Sequence, residues 1–286
     1  MRFALLLSLL VLPGAASPAS ARTWAQDWPV GAHPTLTVET TDAHVYVHRG
    51  GPGLVKAHVE YTVNVWGLHT EIRDPRIQLE RRGDSLSVVA RPRSSVAVFG
   101  GISEHFRVDV TVPPACDVQV RSGDGGVDVE PVEGRLDVQT GDGRITVHGA
   151  HGKVRLWTGD GGIDADGIDG SLVARTGDGH LHVSGRFDRM DVRSGDGRVE
   201  ASILRGSQLA EPWEFSSGDG GITLRIPRNL QAVLDAEAHD GSVHVQLPID
   251  NEGSSWHHHM RGQLNGGTLP LRVRTGDGSI TLALSE

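Results

Sequence analysis

The sequence predicts an all-β fold, a β-solenoid (β-helix-like) of roughly 18-residue coils with an irregular β N-terminal portion. Three observations predict it. The tripeptide Gly-Asp-Gly occurs seven times and always follows Ser or Thr. Its first four intervals are all 18 residues, and a fixed period of this kind indicates a repeat architecture. Residues on both sides of each copy alternate between apolar and polar types, as in strands that bury one face.

The apolar residues recur at fixed positions around each copy. Counted from the Ser or Thr, the residues four and two before it are apolar, and so are those five and seven after it. The column four before consists of Val118, Leu136, Val154, Leu172, Met190, Trp213, Leu234 and Leu271, the seventh of which precedes a degenerate copy at 238–241. Each unit therefore reads as a strand, a Gly-Asp-Gly turn, a second strand and a second turn. The second turns are marked by Gly134, Gly152, Gly170 and Gly206.

The unit length favours one coil of a solenoid. Eighteen residues at about 3.3 Å each give a path of roughly 59 Å, and successive coils stack as parallel strands about 4.8 Å apart. An antiparallel meander of hairpins is the alternative, because Asp-Gly between apolar runs also favours hairpins. We prefer the coil, since a meander does not require identical spacing over five consecutive units.

The Gly-Asp-Gly residues have a structural interpretation as turns. Gly adopts positive φ without penalty, and Asp and the preceding Ser or Thr can accept hydrogen bonds from nearby amides. The predicted structural turn residues are Gly123, Asp124, Gly125, Gly141, Asp142, Gly143, Gly159, Asp160, Gly161, Gly177, Asp178, Gly179, Gly195, Asp196, Gly197, Gly218, Asp219, Gly220, Gly276, Asp277 and Gly278.

The first residues are predicted to be a secretory signal peptide, residues 1–21. Arg2 precedes an apolar run, and Ala19-Ser20-Ala21 is a small-x-small cleavage site. The run is too short to span a bilayer and no Cys near the cut could accept a lipid, so we expect no transmembrane anchor. The predicted location is exported: periplasmic, cell-surface or secreted. Cys116, which has no partner Cys, is expected to pack as a buried apolar residue.

The remaining chain divides into two predicted regions. Residues 22–115 contain alternating patterns of varied length and are expected to form an irregular β region that caps the solenoid or leads into it. Residues 116–286 are expected to form the solenoid repeats, with a polar loop at 250–265 that contains three consecutive His residues from His257.

Composition and motifs restrict the function. Among 286 residues, 27 are Lys or Arg and 36 are Asp or Glu, and the net charge of −9 argues against a nucleic-acid partner. The sequence contains no nucleophile elbow, zinc-protease motif, phosphate-binding loop or dinucleotide fingerprint. We therefore predict no catalytic residues, no cofactor and no dedicated metal site.

Two alternatives remain open. The stacked Asp column could attract calcium as in a β-roll, although those rolls carry the acidic motif at both turns; the acidic stretch from Asp160 through Asp164 and Asp166 to Asp169 is the best place for an ion. A polysaccharide-active β-helix enzyme could use outward groups such as Asp164, Arg175 and Arg193.

Three outward residues are the predicted binding residues. Trp157 lies beside Arg175 in the repeat alignment, with Arg193 one unit further, and an exposed indole next to a guanidinium can stack on a sugar. The expected partner is a cell-envelope or extracellular surface, either protein or polysaccharide.

The repeated Thr-Gly-Asp-Gly, the Val112-Pro113 pair, the run Leu264-Asn265-Gly266-Gly267 and the closing copy at 274–280 are similar to a known family. This is the bacterial β-strand-repeat family of unknown function catalogued as "putative adhesin". The resemblance covers about residue 35 to the end. It implies an exported or surface-exposed bacterial repeat domain, with no defined catalytic residues to transfer. We predict a non-catalytic exported repeat protein, an adhesin or a cell-envelope binding or structural module.

Overall fold

The computed structural model describes residues 20–71, 74–92, 96–249 and 251–285. These residues form strands and turns and include no helix, which confirms the predicted all-β class. The strands are β1 (Ser20–Pro29), β2 (Thr35–Thr40), β3 (His44–Arg49), β4 (Leu54–Glu71), β5 (Arg76–Arg82), β6 (Ser85–Arg91), β7 (Val96–Val112), β8 (Asp117–Arg121), β9 (Val127–Val129), β10 (Val132–Thr140), β11 (Ile145–Thr158), β12 (Ile163–Thr176), β13 (Leu181–Ser194), β14 (Val199–Ile203), β15 (Trp213–Ser217), β16 (Ile222–Ile226), β17 (Ala232–Ala238), β18 (Val243–Val245), β19 (Asn251–Trp256), β20 (His259–Leu264), β21 (Pro270–Thr275) and β22 (Ile280–Leu284).

Neighbouring copies of the repeat pair as parallel strands in register. Leu136 of β10 lies opposite Val154 of β11, which in turn lies opposite Leu172 of β12, so each partner is 18 residues further along the chain. The antiparallel meander is therefore wrong for this region. Side chains alternate between buried and outward positions on both sides of each corner, and inward residues such as Val138 and Val147 are wholly buried. The result is a solenoid-like stack with one continuous apolar interior.

The stack has two faces. In the repeats, strands that lead into the Gly-Asp-Gly corners form the front face and strands that leave those corners form the back face; N-terminal strands extend both faces. The front face has the order β6, β2, β8, β10, the C-terminal halves of β11, β12 and β13, then β15, β21 and β17. The back face has the order β7, β3, β9, the N-terminal halves of β11, β12 and β13, then β14, β16, β22 and β18.

The spatial order differs from the chain order at both ends. At one end, β6 and β7 lie outside β2 and β3, although they follow them in sequence. At the other end, the last strands β21 and β22 lie between the pair β15 and β16 and the pair β17 and β18. The C-terminal coil is thus an internal member of the stack.

Antiparallel strands cover part of each end. β4 pairs with β7 and β1 with β4, while β5 pairs with β6. Beyond β17 lie β20 and then β19, both antiparallel to their neighbour. These edge strands leave fewer parallel strands open to pairing with another chain.

Two regional expectations differ from the structure. The region expected to be irregular, 22–115, supplies β2, β3, β6 and β7, which are regular members of the same two faces. The segment expected to be a polar loop, 250–265, holds β19 and β20 from residue 251 onward. A polar sequence can form a strand here because β20 hydrogen-bonds along β17 and buries little apolar area beyond Leu264.

Residues 1–19 of the predicted signal peptide lie outside the described residues, and β1 begins at Ser20. The described residues include no apolar helix of a length that would cross a membrane. Cys116 is a free and fully buried thiol, as predicted, and burial raises its pKa to about 12.

Candidate functional site

The Ser or Thr of each corner links adjacent coils through hydrogen bonds. The Thr158 hydroxyl can donate to the carbonyl oxygen of Gly141 at 3.2 Å or to that of Gly143 at 3.0 Å, both in the preceding corner. It accepts a hydrogen bond from the backbone N–H of Gly161 at 3.2 Å. Thr140 and Thr176 repeat this arrangement. The hydroxyl therefore closes its own turn and satisfies a carbonyl of the neighbouring coil.

The corner glycines are required for a different reason than positive φ. A Cβ on Gly161 would lie 2.1 Å from the Gly143 carbonyl oxygen, and one on Gly159 would lie 2.6 Å from that of Gly141. None of the predicted corner glycines has positive φ. Positive φ occurs at the second turn instead, for example 138° at Gly134 and 126° at Gly152. The expected conformational reason thus applies to the second turn, and close stacking explains the corner.

The Asp side chains of the corners point into solvent. All seven are exposed, and none of them makes a hydrogen bond or ion pair with another described residue, so the expected Asp hydrogen bonds to nearby amides are not formed. No group of three or more His, Cys, Asp or Glu side chains among the described residues is arranged to hold a metal ion. In the acidic stretch, Asp164 pairs with Arg144 and His180.

The three predicted binding residues lie in one row of the front face. Strand pairing places Trp157 opposite Arg175, and Arg175 opposite Arg193. On the other side, Trp157 lies opposite Gln139, which lies opposite Arg121. We call these five outward and exposed residues, one from each of five adjacent strands, the Trp157 row.

The Trp157 row borders a shallow groove. Its volume is about 550 Å³, and its lining includes Trp157, Arg155, Arg175, Asp137 and Asp191. The indole of Trp157 is 49% exposed, although most large apolar side chains of the described residues are buried. The groove therefore combines an accessible aromatic surface with charged groups of both signs.

Ion pairs fix two of the guanidinium groups. Asp191 accepts from Arg175 Nη2 at 2.8 Å and from Arg193 Nε at 2.6 Å, and Arg193 also donates to Glu214 at 2.7 Å. The hydrogen bond to Asp191 raises the pKa of Arg193. The guanidinium of Arg155 makes no ion pair or hydrogen bond with the described residues. The predicted pair of Trp157 and Arg175 is thus in register, but the Arg175 charge is directed at Asp191.

A second polar cluster was not predicted from the sequence. On the back face, the rings of His44 and Tyr46 stack with centroids 4.4 Å apart, and His48 follows along the same strand. The Arg107 guanidinium lies 4.2 Å from the Tyr46 ring centroid and is held by Asp109. The alternation His-Val-Tyr-Val-His places the three rings on one face, and this pattern could have identified them.

Acidic residues neutralise this cluster. His48 contacts Glu130 at 3.1 Å and Asp109 at 3.3 Å. Burial acts to lower the pKa of His48, but the hydrogen bonds to these carboxylates outweigh it and the pKa is raised. Burial likewise opposes the shift of Asp109, whose pKa is lowered by its contacts to Arg107 and His48. Since its charges are mutually paired, the cluster mainly connects β3 to β7 and β9.

The sequence profile of the Toastrack DUF4097 family matches residues 35–283. This match confirms the resemblance to a β-strand-repeat family of unknown function. No curated protein matches the chain.

Several solved structures are similar to this chain over most of its length. A putative cell adhesion protein from Clostridium sporogenes is 10% identical, with a TM-score of 0.28, and the match covers 92% of this chain and 100% of that one. A putative lipid binding protein from Parabacteroides distasonis is 14% identical, with a TM-score of 0.48 and coverages of 91% and 96%. A putative adhesin from Bacteroides fragilis is 11% identical, with a TM-score of 0.40 and coverages of 92% and 97%.

Proposed function

The chain belongs to the Toastrack DUF4097 family, whose function is unknown. From the side chains on its surface, we propose that it is an exported, non-catalytic repeat protein. We propose that it adheres to or binds a cell-envelope or extracellular surface. In this proposal the stack is a β-solenoid whose central coils are 18 residues long, and its role is to present rows of outward side chains to a partner. The partner contacts the front face.

The exposed indole of Trp157 is the observation that carries this proposal. A large aromatic side chain that is 49% exposed costs solvation free energy unless a partner covers it. Trp is also a residue type on which binding energy concentrates at interfaces. It lies at the centre of the front face beside a groove of about 550 Å³, where a partner can reach it without rearrangement of the stack.

The electrostatics of the carboxyl groups support a role without catalysis. A general acid at neutral pH needs a raised pKa. The pKa values of Asp109, Asp117, Glu130 and Asp235 are all lowered. Asp164 and Arg175, which an enzyme could combine, lie on the back and front faces respectively. The stack therefore supports binding better than acid–base chemistry.

Export is the second component of the proposal. The basic start, apolar run and Ala19-Ser20-Ala21 site support removal of residues 1–21 by a signal peptidase. We expect the protein recovered outside the cytoplasm to begin at Arg22, as read by mass spectrometry of its N-terminal peptide. Recovery of the full-length chain in the cytoplasm alone would contradict export.

Co-sedimentation with isolated cell envelopes of the producing bacterium tests the binding function. We expect saturable binding of the purified protein and a weakening of about tenfold in Trp157→Ala, because an exposed Trp is a typical hot spot. Leu204→Ala is the matched control, since Leu204 is also a large exposed apolar residue, 47% exposed, but lies away from the groove. Absence of binding, or equal loss in both variants, would overturn the proposal.

A further inference from the structure

We propose that the Trp157 row is a binding site for a linear anionic polysaccharide that lies along the axis of the stack. This inference rests on the proposed function and adds the class of ligand, its direction and the residues that recognise its charge. Its observations are the order of side chains in the row, the unpaired cations within and beside it, and the exposed indole of Trp157.

Between β8 and β13 the row presents hydrogen-bond donors and no acidic residue; on the next strand, β2, Glu39 lies opposite Arg121 and is paired with Arg91. From β8 to β13 its members are Arg, Gln, Trp, Arg and Arg, one per strand. Adjacent strands are about 4.8 Å apart. A polysaccharide whose sugar units are each about as long as this strand spacing can therefore place successive units over successive strands. A polymer that crossed the row at right angles would meet only one of its members.

Unpaired positive charge lies in the row, at Arg121, and next to it, at Arg155. Neither Arg155 nor Arg121 forms an ion pair or side-chain hydrogen bond with the described residues. Asp137, the acidic neighbour of Arg155 across β10 and β11, already accepts a hydrogen bond from Gln139 at 3.3 Å. In a chain with a net charge of −9, this part of the front face has an excess of donors that prefers an anionic ligand.

Two further guanidinium groups are positioned in advance. Asp191 holds Arg175 and Arg193 in place, and each guanidinium has five N–H donors, so both retain N–H groups for a ligand. Planar guanidinium groups match carboxylate and sulfate oxygens well. Because Asp191 fixes these side chains before binding, less conformational entropy is lost when the ligand binds.

The indole distinguishes an anionic polysaccharide from polyanions that contain no sugar ring. Trp157 stands in the row with basic side chains beyond it on both sides. A pyranose ring can lay its apolar C–H face on the exposed indole while its acidic substituents reach Arg155 and Arg175. A flexible acidic peptide has charge but no such ring face. The site therefore requires both an anionic group and a ring.

Binding to defined polymers tests the inference with the full purified protein. The probes are alginate as a carboxylated polysaccharide, dextran sulfate as a sulfated one, dextran as a neutral one, and polyglutamate as a polyanion without sugar rings. We expect the protein to bind at least one of the two anionic polysaccharides, with binding that weakens as salt rises. We expect dextran and polyglutamate to bind at least about tenfold more weakly.

Three variants identify the surface. Trp157→Ala and Arg155→Ala are each expected to weaken binding to the anionic polysaccharide by about tenfold. Arg198, which directly precedes the back-face strand β14, is exposed and pairs with Glu200; Arg198→Ala removes the same charge as Arg155→Ala and is expected to leave binding unchanged. Circular dichroism and melting temperature verify that each variant is folded.

The outcomes separate the inference from the proposed function. Equal affinity for dextran, equal affinity for polyglutamate, or equal weakening by Arg155→Ala and Arg198→Ala would overturn the inference. The inference would also be overturned if the protein bound envelopes in a way that depends on Trp157 but bound neither anionic polysaccharide. In that case the proposed function would stand. Absence of both envelope and polysaccharide binding would overturn both.

Discussion

Each Gly-Asp-Gly corner lies so close to the corner of the preceding coil that the identity of single residues is fixed. The second Gly of one corner faces the second Gly of the next, as Gly161 faces Gly143. The hydroxyl of Thr158, which lies between them, is buried, donates to the Gly143 carbonyl oxygen and accepts from the Gly161 N–H. Corner composition is therefore set by contact between coils as much as by the turn within one coil.

Gly161→Ala should destabilise the protein. Its Cβ would meet the Gly143 carbonyl oxygen at 2.1 Å, and since that oxygen is backbone, the two coils must separate. We expect the free energy of unfolding to fall by about 1–3 kcal/mol, as for overpacked sites. Denaturant titration measures it.

Gly51→Ala is the matched control for this change. A Cβ at Gly51 would meet nothing within 4 Å, and its φ is not positive. It should leave stability unchanged or raise it by up to about 1 kcal/mol, because Ala restricts the unfolded chain. Equal effects of the two substitutions would contradict the stacking explanation.

His48 should make stability depend on pH. Its pKa is raised in the folded protein, so the stabilisation is fully present below the unfolded pKa of about 6.5 and is lost as pH rises through the folded pKa. The pKa values of Asp109 and Glu130 are lowered, so both remain ionised in this range. We expect wild type to exceed His48→Gln in melting temperature by more at about pH 5.5 than at about pH 8.5. A difference that grows with pH would contradict the assigned contacts.

At the scale of elements, the sequence predicts which residues align but not which coils are neighbours. Identical spacing predicts that Leu136 lies beside Val154, and strand pairing agrees. Trp213, Leu234 and Leu271 belong to the same alignment column, so any order of their three coils would bury the same positions. In the structure Leu271 lies between the other two. The order is decided by the connections and end strands, on which an 18-residue pattern carries no information.

Disulfide cross-linking tests the insertion of the last coil. Thr223 of β16 lies opposite Thr281 of β22, and Thr281 lies opposite His244 of β18. Cys residues introduced at 223 and 281 should form a disulfide, because adjacent strands place Cα atoms about 5 Å apart. Cys residues at 223 and 244 should not, because they are two strands, or about 10 Å, apart. The opposite result would mean that the coils stack in chain order.

The pairing of strands also explains which parts of the candidate sites could be predicted from the sequence. Trp157, Arg175 and Arg193 share one alignment position, so their common row follows from the period alone. The contact of Asp191 with both guanidinium groups requires the side-chain geometry. The back-face cluster was missed because Arg107 reaches Tyr46 only through the pairing of β3 with β7, outside the regular repeats.

At the scale of the whole molecule, the stack places equivalent outward side chains at a regular spacing, one on each strand. The apolar interior holds the two faces together, and the edge strands cover part of its ends. Because the spacing is set by backbone hydrogen bonds, outward side chains can vary without loss of the row. This separation allows the outward side chains of one face to vary while the interior remains constant.

Spin-label distances along one back-face row test this claim most directly. Thr146 is three strands from Glu200, four from Thr223 and five from Thr281. Cys116 is buried with a pKa of about 12 and should not take the label. With Cys pairs at 146 and each other position, we predict distances that increase evenly, to about 14, 19 and 24 Å. Distances that do not increase in this order would contradict a stack of parallel coils in register.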